Sequence, residues 1–339
     1  MTSLHNHTYL FYDFETTGIN PCFDQVIRFA AIETDLSFNE LKTHKINIKL
    51  RNDILPNPKA LLVNRLSIND IQEGETEYEA FKKMHSLFNK PNTISIGYNS
   101  LKFDDLFLRF GFYRNLLDPY SHQYQNNSFR ADLLRIAQVY FLYRHNQSII
   151  WPMTNNRYSL QLEKINAVNG LFSGMSHDAE VDVRVSIELA KTLFNADQKL
   201  WNYLIETFIK DIDHSRYLNL PTIDCINGEK YSFGILISNK IGIRRKFGAP
   251  VICQKHTERK TNNILVFRLD IKDFENSSKE SLFDSGVYTK KFGEPDFIIP
   301  FVDKFILPFS NEAIMISKHN LNWIKHNPDL ILEEFNKHK

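Results

Sequence analysis

Residues 12–35 read YDFETTGINPCFDQVIRFAAIETD, and this stretch, with the residues just before it, decides the fold. Tyr9-Leu10-Phe11-Tyr12 is a short apolar run of the kind a buried strand makes. Thr16-Thr17-Gly18 breaks it, with Gly18 free to take a positive φ. Val26–Thr34 and His44–Leu50 read as two further strands, and the short connections predict an antiparallel meander. The end of the first strand carries Asp13-Phe14-Glu15. Alternate residues of a strand share a face, so both carboxylates point the same way. Two like charges there are costly unless cations sit between them, and hard oxygen donors suit Mg²⁺ or Mn²⁺. Taken alone, the pair is better read as a solvated strand end with two unrelated acids.

Working outward, Tyr78, Phe81, Met84, His85 and Phe88 follow a helical period that Pro91 ends. Thr93–Tyr98 is β-rich and predicts a fourth strand, followed by a helix from Asp104 to Tyr113. Asn99-Ser-Leu-Lys-Phe103-Asp104-Asp105 therefore sets another acid at a strand-to-helix junction. There either Asp104 or Asp105 could simply cap the helix. Ser128–Tyr143 reads as one periodic helix. Ser159–Val168 reads as another, stopped by Asn169-Gly170. Ser176 is placed to cap a helix from about Asp178 to Phe194, with Asp178 and Glu180 in its first turn. Within it, Asp182 lies on the side flanked by Val185 and Leu189, where a carboxylate needs a partner such as a metal. His177 stands at the helix start. A histidine there is often a structural hydrogen-bonder, but His177 five residues before a buried Asp182 suggests chemistry.

Composition narrows the class. The chain has 339 residues, enough for about two domains. Hydrophobic residues make up 42% and charged residues 24%, which excludes a disordered tail or a fibre. Lys and Arg number 41 against 40 Asp and Glu, a formal charge of +1, so any affinity for a polyanion must come from a local patch. The three cysteines are scattered without metal-type spacing and fit a reducing compartment. No apolar run approaches the ~18 residues of a membrane span, and the first residues do not resemble a signal peptide. A cytoplasmic, monomeric protein is expected.

The pattern changes in the second half. Residues 211–232 lose helical periodicity and read as a linker or domain edge. From 231 to about 310 the apolar runs are short and β-like: Ser232–Ile237, Pro250–Cys253, Ile264–Leu269 and Phe297–Pro300, punctuated by Gly and Pro. They predict a small β-barrel or mixed domain, with one helix at Leu321–Phe335. Residues 231–260 hold seven Lys or Arg and one acid. Arg244-Arg245-Lys246-Phe247 is a basic-aromatic cluster of the kind that binds single strands, or else a solvated loop. Trp151 and Trp201 read as core.

Three acidic elements in this order, with a histidine in the last, match the signature of the DEDDh exonucleases. These are ribonuclease H-like 3′→5′ nucleases with four acids and a histidine. Asp13 and Glu15 match the first motif, Asp104 the second, and His177 and Asp182 (H-x4-D) the third. The segments YDFETTGINPCFDQVIRFAAIETD, IGYNSLKFDD, FYRNLLDPY and NGLFSGMSHDAEVDV resemble bacterial exonuclease I in particular, the single-strand-specific DNA exonuclease. LWNYLIETFIK, FGAPV and VDKFILPFSNEAI resemble stretches of that family's second domain.

The resemblance implies an α/β fold: a ribonuclease H-like mixed-sheet exonuclease domain over residues 1–200, then a smaller SH3-like β-rich domain with a C-terminal helix over 201–339. It implies that Asp13, Glu15, Asp104 and Asp182 hold two Mg²⁺ ions, with Mn²⁺ able to substitute. His177 would be the general base, and Glu15 would also touch the terminal 3′-hydroxyl. Single-stranded DNA would be degraded from its 3′ end to nucleoside 5′-monophosphates, in DNA repair and recombination. Arg109, Tyr120 and Tyr124, and Tyr203 and Lys210 at the domain junction, occupy positions where the family touches DNA. Arg244, Arg245 and Lys246 are the further candidates of the second domain. Gln161 stands where close members place an arginine, which puts one phosphate contact in question. The sequence ends at Lys339, before the helical third domain that the family normally carries, which bears on affinity and processivity. Single-stranded DNA-binding protein is a further implied partner. The competing readings are a related DEDDh enzyme acting on RNA or short oligonucleotides, and a non-catalytic single-strand-binding module. Retention of all four acids and the histidine counts against the second.

Overall fold

The computed structural model describes residues 4–147, 149–174, 178–253, 262–272, 286–329, 333 and 335. The chain divides into two compact units. One is Met1–Ala137 with Asn146–Trp201, and the other is Gln138–His145 with Asn202–Lys339.

In the first unit, β1 (Thr8–Thr16), β2 (Val26–Thr34) and β3 (Glu40–Asn47) form the antiparallel meander. The third strand starts earlier than His44. It is the sheet edge and mostly exposed, so apolar residues do not mark it; Ile48 and Leu50 are buried just beyond its end. Along the chain follow α1 (Pro58–Asn64), α2 (Glu77–Phe88), β4 (Thr93–Gly97) and α3 (Asp104–Arg114). Thr76 and Glu79 close a reciprocal cap on α2. Next come β5 (Phe129–Asp132), α4 (Leu133–Tyr143), the short hairpin β6 (Met153–Thr154) and β7 (Arg157–Tyr158), α5 (Leu162–Asn169) and α6 (Ala179–Ala196). The sheet order is β3-β2-β1-β4-β5, with β4 parallel to both β1 and β5.

Side-chain alternation on β1 sorts the layers. Leu10, Tyr12 and Phe14 face a core built with Phe81, Met84 and Phe88 of α2 and Phe107, Leu108 and Phe112 of α3. Tyr9 and Phe11 face the other way. There Tyr9 stacks on Phe38 and accepts a 3.0 Å hydrogen bond from the buried indole of Trp201. Trp151 is also buried, as expected. Helix α6 packs on β1 and β2.

Several expectations are corrected. Ser128–Tyr143 is not one helix: Phe129–Asp132 is the edge strand β5, and the helix begins at Leu133. Four strand residues are too few to show a period of two before the helical pattern takes over. Gly18 does not use its freedom to take a positive φ; a Cβ there would fall 2.4 Å from the Asp24 carboxylate, which would have to shift. Asp178 caps α6, accepting from the Glu180 N–H at 3.0 Å. Ser176 lies outside the described residues. Gly170 does end α5, at φ 60°.

In the second unit, α7 (Gln198–Thr207, its first residues in the first unit) leads to α8 (Lys210–Leu218). Residues 211–218 of the expected linker over 211–232 are therefore helix α8. Its two buried residues are Asp213 and Tyr217, and the buried acid hides the apolar period. Asp213 pairs with buried Lys290 and accepts from the Gly293 N–H at 2.8 Å. The strands are β8 (Thr222–Asp224), β9 (Lys230–Ile237), β10 (Gly248–Cys253), β11 (Asn263–Arg268), β12 (Val287–Lys291) and β13 (Phe297–Pro300). They form an antiparallel sheet in the order β12-β11-β10-β9-β13, with β8 also on β9. Helices Asp303–Ile306 and Asn311–His326 follow. The helix Asn311–His326 starts ten residues before the expected Leu321, capped by Ser310, with its C-terminal cap at Asn327; Pro328, Asp329, Glu333 and Phe335 beyond it are helical again. Its face is largely polar, with Ser317, Asn320 and Ile324 buried. Among the described residues no helix is long and apolar enough to cross a membrane.

Candidate active site

The β1–β4 ladder ends at Phe11↔Ile96, so Asp13 and Glu15 extend past it. Asp104 begins α3, reached by a short turn from the end of β4. Asp182 sits in the first turn of α6, which packs on β1. Three separate segments thus bring four carboxylates to the region beyond the carboxyl ends of the parallel strands, where open α/β sheets build their sites.

The acids feel one another strongly. Asp13 retains some accessible surface, yet protein packs around it on most sides and burial pushes its carboxyl well above the usual range. Asp104, Glu15 and Asp182 add repulsion, and the Phe14 N–H is a partial offset. Glu15 is 7% exposed, and its pKa is raised to about 8 by burial, then by Asp182 and Asp104, against the opposing charge of Arg28. Asp104 is likewise pushed up to about 8, first by burial, with Asp132 and Asp105 raising it further. The solvated-strand-end reading of Asp13 and Glu15 is therefore wrong for this chain. So is capping as the role of Asp104: the cap position of α3 is Phe103, and no side chain caps it.

Buried acids that repel one another and carry oxygen donors are what a hard divalent cation requires. Among the described residues no three His, Cys, Asp or Glu side chains stand together so as to hold a metal ion as they are. The fit rests on donor chemistry and on mutual repulsion that a cation would relieve. His177 lies outside the described residues.

Behind the acids stands support that the sequence did not reveal. Asp105 is paired with buried His122 at 3.1 Å and with Arg130. Asp132, fully buried, holds the turn before Asp104. Its position just before an apolar helix was the one available signal, and that signal is indistinguishable from an ordinary cap.

The other candidates fall into separate places. In the first unit, Arg109 donates to the Tyr120 hydroxyl at 2.9 Å and its guanidinium lies 4.6 Å from that ring's centre. Tyr120 and Tyr124 are exposed, at 48% and 65%, so neither is core. Gln161 is exposed at the cap position of α5, 3.3 Å from the Ser159 hydroxyl. In the second unit, Tyr203 is half-buried under Arg216, whose guanidinium lies 3.7 Å from its ring centre. Lys210 opens α8 and bonds Asn262. Arg244, Arg245 and Lys246 line a cavity of about 350 Å³ with Lys272 and Phe309. Arg245 is paired there with Asp270. Phe247 is buried, 5.9 Å from Phe141, and so is no stacking platform; burial of its ring overturns the aromatic half of that cluster.

A mixed five-stranded sheet covered on both faces, with four acids gathered beyond its strand ends, defines the ribonuclease H-like nuclease class. A family model described as Exonuclease (RNase_T) matches residues 10–190, a span that contains Asp13, Glu15, Asp104, His177 and Asp182, and the chain belongs to that family. It is similar to Exodeoxyribonuclease I of Escherichia coli (strain K12), 36% identical over 200 residues, which is 58% of this chain and 42% of that protein. The chain thus matches under half the length of that relative. It is also similar to E. coli Exonuclease I solved in complex with a dA16 oligonucleotide, with TM-score 0.80 and 26% identity over 96% of this chain and 72% of that one. A zinc-ion-bound form of the E. coli enzyme with single-stranded DNA gives TM-score 0.81 and 25% identity over 97% and 73%.

Proposed function

We propose that the chain is a divalent-metal-dependent 3′→5′ exodeoxyribonuclease acting on single-stranded DNA. The observation that carries this reading is the convergence of buried Glu15 and Asp104 with partly exposed Asp13 and Asp182 as mutually repelling acids. The substrate and the metal dependence are supported by the relatives, one solved with a single-stranded oligonucleotide and one with zinc and single-stranded DNA. Membership of the Exonuclease family supports hydrolysis rather than binding alone.

Asp13, Glu15, Asp104 and Asp182 would hold the cations, Mg²⁺ by preference with Mn²⁺ as substitute. Bound there, a divalent ion supplies Lewis acidity at the phosphate and lowers the pKa of a water. His177 takes the proton from the attacking water, a task suited to an imidazole, whose unperturbed pKa is ~6.5. The water oxygen bonds to phosphorus, the bond from phosphorus to the 3′-oxygen of the preceding nucleotide breaks, and a nucleoside 5′-monophosphate leaves. Glu15 also accepts from the terminal 3′-hydroxyl, which selects a chain end over an internal bond. Arg109, Tyr120, Tyr124 and Gln161 in the first unit, and Tyr203, Lys210, Arg244, Arg245 and Lys246 in the second, line the strand's path by this reading. The setting is cytoplasmic DNA repair and recombination by a monomer that contacts single-stranded DNA-binding protein.

The test is degradation of matched DNA and RNA strands, labelled at either end, by wild type and by Asp13→Ala, Asp104→Ala and Asp182→Ala, with and without EDTA. Release of 5′-monophosphates from the 3′ end of DNA, lost in every variant and in EDTA, is expected. Faster release from RNA would move the reading to an RNA-trimming enzyme. Activity near wild type in any folded variant would remove that acid from the site.

A further inference from the structure

Asp132 belongs to none of the motifs that carry the chemistry, yet it is the most heavily bonded acid near them. It ends β5, in register with Gly97 of β4, and its side chain is fully buried. One carboxylate oxygen accepts the Leu134 N–H at 3.0 Å, which caps α4, and also the Asn99 N–H at 3.0 Å. The other oxygen accepts the Leu101 N–H at 3.4 Å. An ordinary helix cap needs only one such bond. The other two reach a segment more than thirty residues away in sequence, the turn between β4 and α3.

That turn is a demanding piece of backbone. Asn99 is held at φ 61°, ψ 23°, in the left-handed region, and Phe103 sits at φ −133°, ψ −74°. The turn lies tight against the strand end: a Cβ on Gly97 would fall 2.5 Å from the Ser100 Cβ and 3.2 Å from the Tyr12 carbonyl oxygen. Buried Arg135 opposes the charge of Asp132 and donates to the Asn99 side-chain oxygen at 3.5 Å. The next residue after the turn is Asp104. A charged acceptor binding several amides is stronger than a neutral one and fixes geometry more tightly. A site built on mutual alignment of acids depends on such outer support.

We propose that Asp132 is a positioning residue for the reaction: it clamps the Asn99–Phe103 turn so that Asp104 is delivered to the site shared with Asp13, Glu15 and Asp182. This rests on the reading of Asp104 as a metal ligand. Asp132→Asn keeps size and shape. It sets an amide donor against at least one of the three N–H groups and removes the charge that Arg135 faces. Asp132→Ser keeps a short oxygen for the Leu134 N–H but cannot span to Asn99 and Leu101. Both variants should lose about 10- to 100-fold in Mn²⁺ affinity and in kcat, with KM for a single strand little changed.

The experiment is calorimetric Mn²⁺ titration of the metal-free full chain and steady-state kinetics, with hydrogen exchange at the Asn99 and Leu101 amides. Wild type, both Asp132 variants and Asp104→Asn are compared. Weakened Mn²⁺ binding with faster exchange in the turn is expected, alongside an inactive Asp104→Asn. A folded Asp132 variant with wild-type Mn²⁺ affinity and kcat, beside an inactive Asp104→Asn, would overturn the positioning role and leave the proposed function standing. An active Asp104→Asn would overturn both. If Asp132→Asn does not fold, Asp132→Ser decides. Failure of both to fold would make Asp132 a folding residue only and would overturn the proposal.

Discussion

Removing one of the acids proposed to hold the cations should make the metal-free protein more stable. Glu15 is the best place to measure this, because its carboxyl stands at about 8 against 4.5 for an ordinary glutamate, raised by burial and by Asp182 and Asp104. In EDTA the native state keeps Glu15 protonated well above the pH at which the unfolded chain releases that proton. The native state therefore binds more protons across the window from about 4.5 to 8, and stability falls as pH rises through it. Each pH unit costs about 1.4 kcal/mol, so at pH 7 the cost is about 3 kcal/mol. Glu15→Gln keeps the shape and removes the titration. At pH 7 in EDTA it should melt about 6–12 °C above wild type. The two curves should converge toward pH 4.5, where wild type is protonated in both states. Adding Mn²⁺ should stabilise wild type more than the variant, since the cation offsets a repulsion the variant has already lost. The assay is thermal unfolding from pH 4.5 to 8.5 with EDTA or Mn²⁺. Parallel pH curves for the two proteins, or a variant less stable at pH 7, would refute the picture of Glu15 as a strained acid held for a cation.

Two further predictions concern the candidate base and the second unit. His177→Asn should lose most activity near pH 7 and regain part of it at higher pH, where hydroxide replaces the missing base; a pH–rate profile parallel to wild type would make His177 structural. Because Arg245 is tied to Asp270, replacing Arg244 and Lys246 together should lower the salt slope of single-strand binding by about 1.4, roughly 0.7 for each phosphate contact, whereas an unchanged slope would make the stretch a solvated loop.

The acids of the proposed site were legible in the sequence because each sits at a junction the sequence marks. Asp13 and Glu15 close an apolar strand, Asp104 follows a strand-to-helix turn, and Asp182 interrupts the apolar face of α6 beside Val185 and Leu189. What escaped was held by polar groups that apolar periodicity cannot see. Helix α8 is anchored by Asp213 on Lys290, so it read as a linker. Strand β5 is four residues long and runs straight into α4, so one period masked the other. Asp132 was invisible for the same reason: its partners, Asn99 and Leu101, lie on a distant segment, and only the β4–β5 register brings them together. The basic-aromatic cluster shows the opposite failure. Arg245 and Phe247 follow exposed Arg244 within three residues, but Arg245 is held in an ion pair and Phe247 lies in the core.

The central claim is that Asp13, Glu15, Asp104 and Asp182 form one divalent-cation site. Anomalous diffraction from crystals of the full chain grown with Mn²⁺ and a short single strand tests it most directly. The account predicts two manganese peaks among these four carboxylates, with the strand's 3′ end beside Glu15. Manganese bound elsewhere, or an active crystal in which these acids touch no metal, would contradict it.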